Sequence, residues 1–191
     1  MKALILDGST KKDELLETIS SFVVDKLKEK KWTYYSFILR DLEIKKCTGC
    51  FGCWIKTPGI CVTNDSSSEI TKLMAQCDLA FFLTPVTFGG YSSNLKKALD
   101  RVIGNVLPFF TKVDGETHHD GRYDKHTSLV VVGNNKDGDS ESEAIFKALS
   151  KRNAINFMPP YHATMVLSQS SNLEVIKEEV NGHIFRVENF R

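Results

Sequence analysis

Short apolar runs alternate with stretches of helical spacing along this chain. Lys2–Asp7 (KALILD) is a compact apolar run closed by Gly8, which predicts a buried strand. Leu15, Ile19, Phe22, Val23 and Leu27 then recur at helical spacing, while Lys26, Lys28, Glu29 and Lys30 face the other way. Residues 32–39 (WTYYSFIL) are aromatic and β-branched enough for a second strand. Asp65 or Ser66 is placed to cap a helix carrying Ile70, Leu73, Met74 and Cys77.

The stretch 79–101, LAFFLTPVTFGGYSSNLKKALDR, is the centre of the pattern. Its first third suits a strand buried on both faces. Its last third begins an apolar helix face of Leu95, Ala98, Leu99, Val102, Ile103 and Val106, capped by Ser92 or Ser93. Pro85 ends the strand, and Gly89 and Gly90 permit unusual backbone angles or close approach. The loop between is longer than the roughly 2–6 residues that a plain connection needs. A strand, a glycine loop and a capped helix in this order predict a ligand site at the carboxyl end of a parallel sheet.

Beyond it, residues 110–126 read as a polar excursion, residues 127–133 (TSLVVVG) as a strand, and Ser140 as the cap of a helix with Ile145, Ala148 and Leu149 inward. Residues 161–168 complete five strands, and residues 172–181 predict a short last helix. Strands alternating with helices predict an α/β three-layer sandwich around a five-stranded parallel sheet of order 2-1-3-4-5. No repeat or linker divides the chain. The expectation is a single domain over 1–191, with a cysteine-rich segment at 47–65 and the excursion at 110–126.

Composition narrows the function classes. Of 191 residues, 41% are hydrophobic and 26% charged, ordinary values for a globular protein, and the formal charge of +1 gives no cause to expect a nucleic-acid or membrane partner. No apolar stretch reaches the roughly 18 residues that span a bilayer, and the first residues lack a signal-peptide cleavage pattern, so a cytoplasmic location is expected. Four of the five cysteines, Cys47, Cys50, Cys53 and Cys61, crowd into one short segment. In a reducing compartment that grouping points to a metal site, a redox site or buried thiols rather than a disulfide framework. Cys77, on an apolar helix face, is expected in the core.

Three motifs taken together, LILDGST, CTGCFGCWIKTPGICVTND and TPVTFGGYSSNLKKALDR, resemble the flavodoxin-like NAD(P)H-dependent FMN reductases and their iron–sulfur flavoprotein branch. The resemblance covers about residues 1–135 and implies bound FMN with NAD(P)H as electron donor. It places the FMN phosphate at Ser9, Thr10, Lys11 and Lys12. It places the ring along Thr84, Pro85, Val86, Thr87, Phe88, Gly89, Gly90 and Tyr91, with Asn134 in the loop that closes over it. Thr87 stands where relatives often carry Tyr. A flavin performs the hydride and electron transfers itself, so no dedicated catalytic side chain is assigned.

Two segments depart from a simple match. Relatives carry small hydroxyl residues before the first helix, whereas here Asp13 and Glu14 follow the lysines; a carboxylate there either repels a phosphate or caps the helix and faces away. The spacing Cys-x2-Cys-x2-Cys-x7-Cys resembles the motif that ligates a [4Fe–4S] cluster in iron–sulfur flavoproteins, while zinc or reduced thiols remain open readings. His118 and His119 are expected to be solvated, as are Lys96, Lys97 and Arg101 on the wet face of their helix.

The chain is therefore expected to be an FMN-dependent NAD(P)H oxidoreductase that passes electrons to a small molecule or a redox partner protein. It is expected to form a homodimer or larger homo-oligomer through the excursion. The alternative is an iron–sulfur electron carrier or thiol redox sensor centred on the four cysteines. A third reading is a relative that has lost its flavin and serves as a binding module.

Overall fold

The computed structural model describes residues 1–189; the last two positions of the 1–191 span lie outside it. Five parallel strands form the sheet: β1 (Lys2–Asp7), β2 (Thr33–Ile38), β3 (Leu79–Pro85), β6 (Ser128–Asn134) and β7 (His162–Leu167), in the order β2-β1-β3-β6-β7. With the β4–β5 hairpin set aside, this is the expected order 2-1-3-4-5. The helices are α1 (Glu14–Glu29), α2 (Gly52–Ile55), α3 (Ser67–Gln76), α4 (Ser93–Arg101), α5 (Ser140–Phe157) and α6 (Leu173–Asn189).

Successive strand side chains point to opposite faces, and here both faces are covered. Ala3, Ile5, Leu79, Phe81, Leu83, Val130 and Val132 pack beneath α1 and α6. Leu4, Leu6, Ala80, Phe82, Leu129 and Val131 pack beneath α3, α4 and α5. Each fully buried Leu, Ile or Phe contributes about 1.5–3 kcal/mol, which explains the near-continuous apolar runs in the central strands. α1 starts where the Asp13 carboxylate accepts the Leu16 N–H, and α4 starts where the Ser92 hydroxyl accepts the Leu95 N–H.

Several boundaries differ from the sequence expectation. α4 ends at Arg101, so Val102 and Ile103 belong to a short 3₁₀ turn and Val106 opens a strand. The excursion is an antiparallel hairpin, β4 (Val106–Val113) and β5 (Glu116–Gly121), turned at Asp114-Gly115. Its alternation was obscured by the polar run in β5. Asp139, not Ser140, caps α5, and the last helix runs well past residue 181. Asp65 rather than Ser66 supplies the acceptor at the start of α3, bonding the Ser67 N–H at 3.0 Å.

Arg101 is the clearest correction. It is 3% exposed, not on the wet face of α4. Its guanidinium donates to the Thr63 carbonyl at 2.9 Å and the Ser67 hydroxyl at 3.1 Å, and it pairs with Asp65 at 3.5 Å. Removing one member of a buried pair leaves the other charge unpaired, so Arg101→Met should cost about 3 kcal/mol in urea unfolding. Burial alone would raise the Asp65 pKa, but bonds from Ser67 and Lys45 and the Arg101 charge hold it below the ordinary value. A depressed carboxylate stabilises the fold above its unfolded pKa, and that contribution fades as pH falls through the folded value. The penalty of Arg101→Met should therefore shrink in acid; an unchanged penalty at pH 3 and pH 7 would contradict this assignment.

Candidate functional site

The strand register leaves a step at the carboxyl edge of the sheet. β1 ends with Asp7 opposite Leu83, whereas β3 and β6 stay paired to Pro85 and Asn134, and the Val86 N–H donates to the Asn134 carbonyl at 2.9 Å. The step lies between β1 and β3, where the strand order reverses, the usual ligand position in an open parallel sheet.

The loop beyond β3 is a tight turn closed by two bonds between Thr87 and Gly90, with N–H···O distances of 2.9 and 2.8 Å. Phe88 and Gly89 sit at its corners with φ of 50° and 71°, the left-handed pair of a type I′ turn. Gly89 is required by the chain itself. A Cβ there would lie 2.6 Å from the Ile145 side chain of α5. Phe88 has no such excuse. It is a bulky residue held at positive φ with its side chain 99% exposed. Strain kept in a side chain that packs against nothing is a mark of a functional position.

The rest of the predicted ring loop divides in two. Pro85, Val86, Thr87, Phe88 and Gly90 reach the surface. Thr84 is fully buried, and its hydroxyl accepts the Ser92 N–H and donates to the Pro85 carbonyl. Tyr91 turns inward, edge-on to Phe146 with ring centroids 5.5 Å apart and its hydroxyl beside Asn153 and Ser150. Both tie the loop to the scaffold.

The first loop, Gly8 to Asp13, is bound to this one. A Cβ on Gly8 would lie 2.7 Å from that of Leu95, and the Ser92 hydroxyl donates to the Gly8 carbonyl. Lys11 and Lys12 point to solvent with Thr10, while Ser9 is buried. Asp13 does not face away. Its carboxylate is buried and accepts the Leu16 N–H at 3.3 Å, two bonds from Asn134 Nδ2 at 3.0 Å each, and an ion pair from Lys136 at 3.1 Å. Asn134 is thus turned in toward Asp13. Asp7, also buried, accepts the Ser9 N–H at 2.8 Å and pairs with Arg40 at 3.6 Å. Pro85, Val86 and Phe88 reach the surface on one side of this edge, and the buried carboxylates of Asp7 and Asp13 lie on the other. Lys136 was the residue missed from the sequence, hidden in the polar run after β6.

The cysteine segment forms a second cluster. Cys47, Cys50, Cys53 and Cys61 line one cavity with Arg101 and Ile103, but its volume is about 20 Å³. That is room for about one water. No group of three or more His, Cys, Asp or Glu among the described residues is arranged to hold a metal ion. Neither the [4Fe–4S] cluster nor zinc is supported by this arrangement. Phe51, Trp54, His119 and Phe110 stack in sequence at centroid spacings of 4.8 Å, tying the segment to the hairpin. The two histidines are accordingly not simply solvated, since His118 also bonds Asn156 and Glu116.

The thiols are unequal. The Gly52 N–H beside its sulfur, with help from Thr48 and Arg101, lowers the pKa of exposed Cys50. Burial and the neighbouring Cys61 raise that of Cys53, and burial pushes Cys77 up to about 11. Because the thiolate is the nucleophile, iodoacetamide at pH 7.5 should label Cys50 well before Cys53 or Cys77. Peptide mapping over a time course measures the order, and equal rates would contradict it.

Comparison with known proteins places this geometry in context. An iron–sulfur flavoprotein of Methanocaldococcus jannaschii is 41% identical over 63 residues, covering 33% of this chain and 32% of the relative. One from Methanosarcina thermophila is 27% identical over 103 residues, covering 54% and 53%. The chain thus spans about half or less of the length of the curated relatives it matches. The fold is similar to that of an NAD(P)H:quinone oxidoreductase from Methanothermobacter marburgensis, with a TM-score of 0.71 and 15% identity over 99% of this chain and 98% of that one. The reading centred on cysteines alone is not favoured, since the family model that matches is a flavin one. That model, NADPH-dependent FMN reductase, matches residues 1–164, and the chain belongs to this family.

Proposed function

We propose that this chain is an NAD(P)H-dependent oxidoreductase that binds FMN at the carboxyl edge of its sheet and passes electrons to a small molecule of the quinone class. The observation that carries the reading is Phe88, left-handed and fully exposed in the turn after β3 in a chain of the FMN reductase family. Bound flavin supplies the hydride and electron chemistry. The protein's part is to offer Pro85, Val86 and Phe88 as an apolar surface for the ring, with Thr84, Ser92 and Ile145 holding that surface rigid. Five free thiols fit a reducing, cytoplasmic setting.

The reading also includes a homodimer or larger assembly. Phe109 and Phe110 on β4 are 69% and 70% exposed, on a hairpin longer than the compact fold needs. Light scattering at micromolar concentration should give at least twice the chain mass, reduced to the chain mass by joint Phe109→Ser and Phe110→Ser. A monomer in the unaltered protein contradicts the assembly.

The function is tested by adding FMN to the purified protein without oxygen, then NADPH or NADH and a quinone. Flavin uptake with steady NAD(P)H oxidation is expected; a protein that takes up no flavin and oxidises neither nucleotide overturns the reading. Phe88→Gly separates site from scaffold. It relieves the left-handed strain, so the fold should gain about 1 kcal/mol. Flavin affinity should nevertheless fall about tenfold, about 1.4 kcal/mol. A variant that is more stable and binds flavin unchanged would remove Phe88 from the site.

A further inference from the structure

We propose that the cavity between α4, α5 and the β4–β5 hairpin is a second binding site, for an uncharged aromatic molecule that carries a hydroxyl group. None of its walls comes from the loops at the carboxyl edge of the sheet, so the inference stands apart from the flavin reading above.

The cavity measures about 340 Å³. Pockets that hold small molecules run from roughly 300 to 1,000 Å³. Leu99 of α4, Val102 and Ile103 of the turn after it, Val106 of β4 and Phe157 of α5 make its walls largely apolar, which suits an aromatic ring. The hairpin is fastened to α5 at this point. Arg152 donates two bonds to the Glu116 carboxylate, at 2.9 and 2.6 Å, and the His118 ring is bonded to the Asn156 carboxamide at 3.0 Å. His119, in the wall itself, is in ring contact with both Trp54 and Phe110, at centroid spacings of 4.8 Å. The space is therefore preformed, which lowers the cost of binding.

The polar groups decide the chemistry. On the α4 side the Lys96 ammonium and the Asp100 carboxylate pair with each other, so neither is spare for a charged ligand. An ion entering here would give up hydration without a counter-ion in return. α5 instead presents two carboxamides, Asn153 and Asn156, three residues apart and hence on one face. A carboxamide has a donor end and an acceptor end. Whichever end of Asn156 meets His118, the other has no protein partner among the described residues. His119 adds an Nδ1 atom that is buried without a partner. A hydroxyl both donates and accepts, so it can meet either end of a carboxamide, whereas a carboxylate only accepts and an ammonium only donates. Apolar walls, a spare amide end and no spare charge select a neutral ring with a hydroxyl, the chemistry of a phenol.

The probes are p-cresol, toluene, which lacks the hydroxyl, and p-toluate, which carries a charge in its place. Each is titrated into the labelled protein at neutral pH, and the side-chain amide signals of Asn153 and Asn156 are followed by NMR. Addition of p-cresol should shift both saturably. Toluene should bind at least about fivefold more weakly, the worth of one neutral hydrogen bond, and p-toluate should leave both signals in place. Val106→Phe fills the space from the hairpin and Leu99→Phe fills it from α4; circular dichroism melting shows which variants are folded, and either one, folded, should abolish the response. Unshifted Asn153 and Asn156 amides in the unaltered protein overturn the site. Shifts confined to Phe88 and its turn place the ring elsewhere and overturn it as well. Toluene or p-toluate binding as tightly as p-cresol overturns the assigned chemistry. A response that survives in a folded Val106→Phe or Leu99→Phe protein overturns the placement.

Discussion

Burial of β3 on both faces is the constraint from which the rest follows. Leu79 to Thr84 are all buried, so this strand offers no side chain to solvent until it ends at Pro85. A strand so enclosed sends its chemistry to its carboxyl end, where the backbone must leave the sheet and enter α4. Because β3 and β6 run past β1, the exit forms the wall of a step. The same burial fixes the wall: Thr84 anchors Ser92, Ser92 anchors Gly8, and the two loops that flank the step are bonded to one another. Rigid scaffold beneath and strained turn above is the arrangement expected of a site whose binding surface must be preformed.

The two sides of the step solve opposite problems. On one side, the turn after β3 spends conformational energy to hold the Phe88 side chain away from the core. On the other side, at the start of α1, the chain buries charge and must then satisfy it, which Asn134, Lys136, Arg40 and two backbone N–H groups do. Buried carboxylates without such partners would be costly. The pairing of Asp7 and Asp13 is visible only in three dimensions.

Much of the fold was legible because its signals are periodic. Doubly buried strands read as apolar runs, and α1 and α3 show one apolar face each. The hairpin was not legible because the Glu116–Gly121 strand is polar along its length, so no alternation marks it. The sequence marked the loop after β3 through its two glycines and its capping serine, but not the inward turn of Tyr91, since tyrosine suits a core and a ligand face alike. Asp13 was recognisable as a cap. Its burial was not, because its partners lie more than 120 residues along the chain. Long-range polar pairing leaves no local trace, and so the charge state of the first loop had to await the structure.

The cysteine segment shows how the same limit misleads in the other direction. Close spacing brings four thiols to one cavity, as the sequence implied, yet proximity alone does not make a ligand set. What decides the geometry is the anchoring around them. Arg101 takes up the Thr63 carbonyl and the Asp65 carboxylate, and Trp54 donates its indole N–H to the Ile103 carbonyl at 3.1 Å. These contacts draw the segment against α4 and the turn that follows it. The segment and the hairpin then share one aromatic stack from Phe51 to Phe110, so they are held as a unit. The hairpin thus meets the loop that carries Cys50 and Cys53 through the contact of Trp54 with His119, an aromatic packing that the cysteine spacing alone does not show.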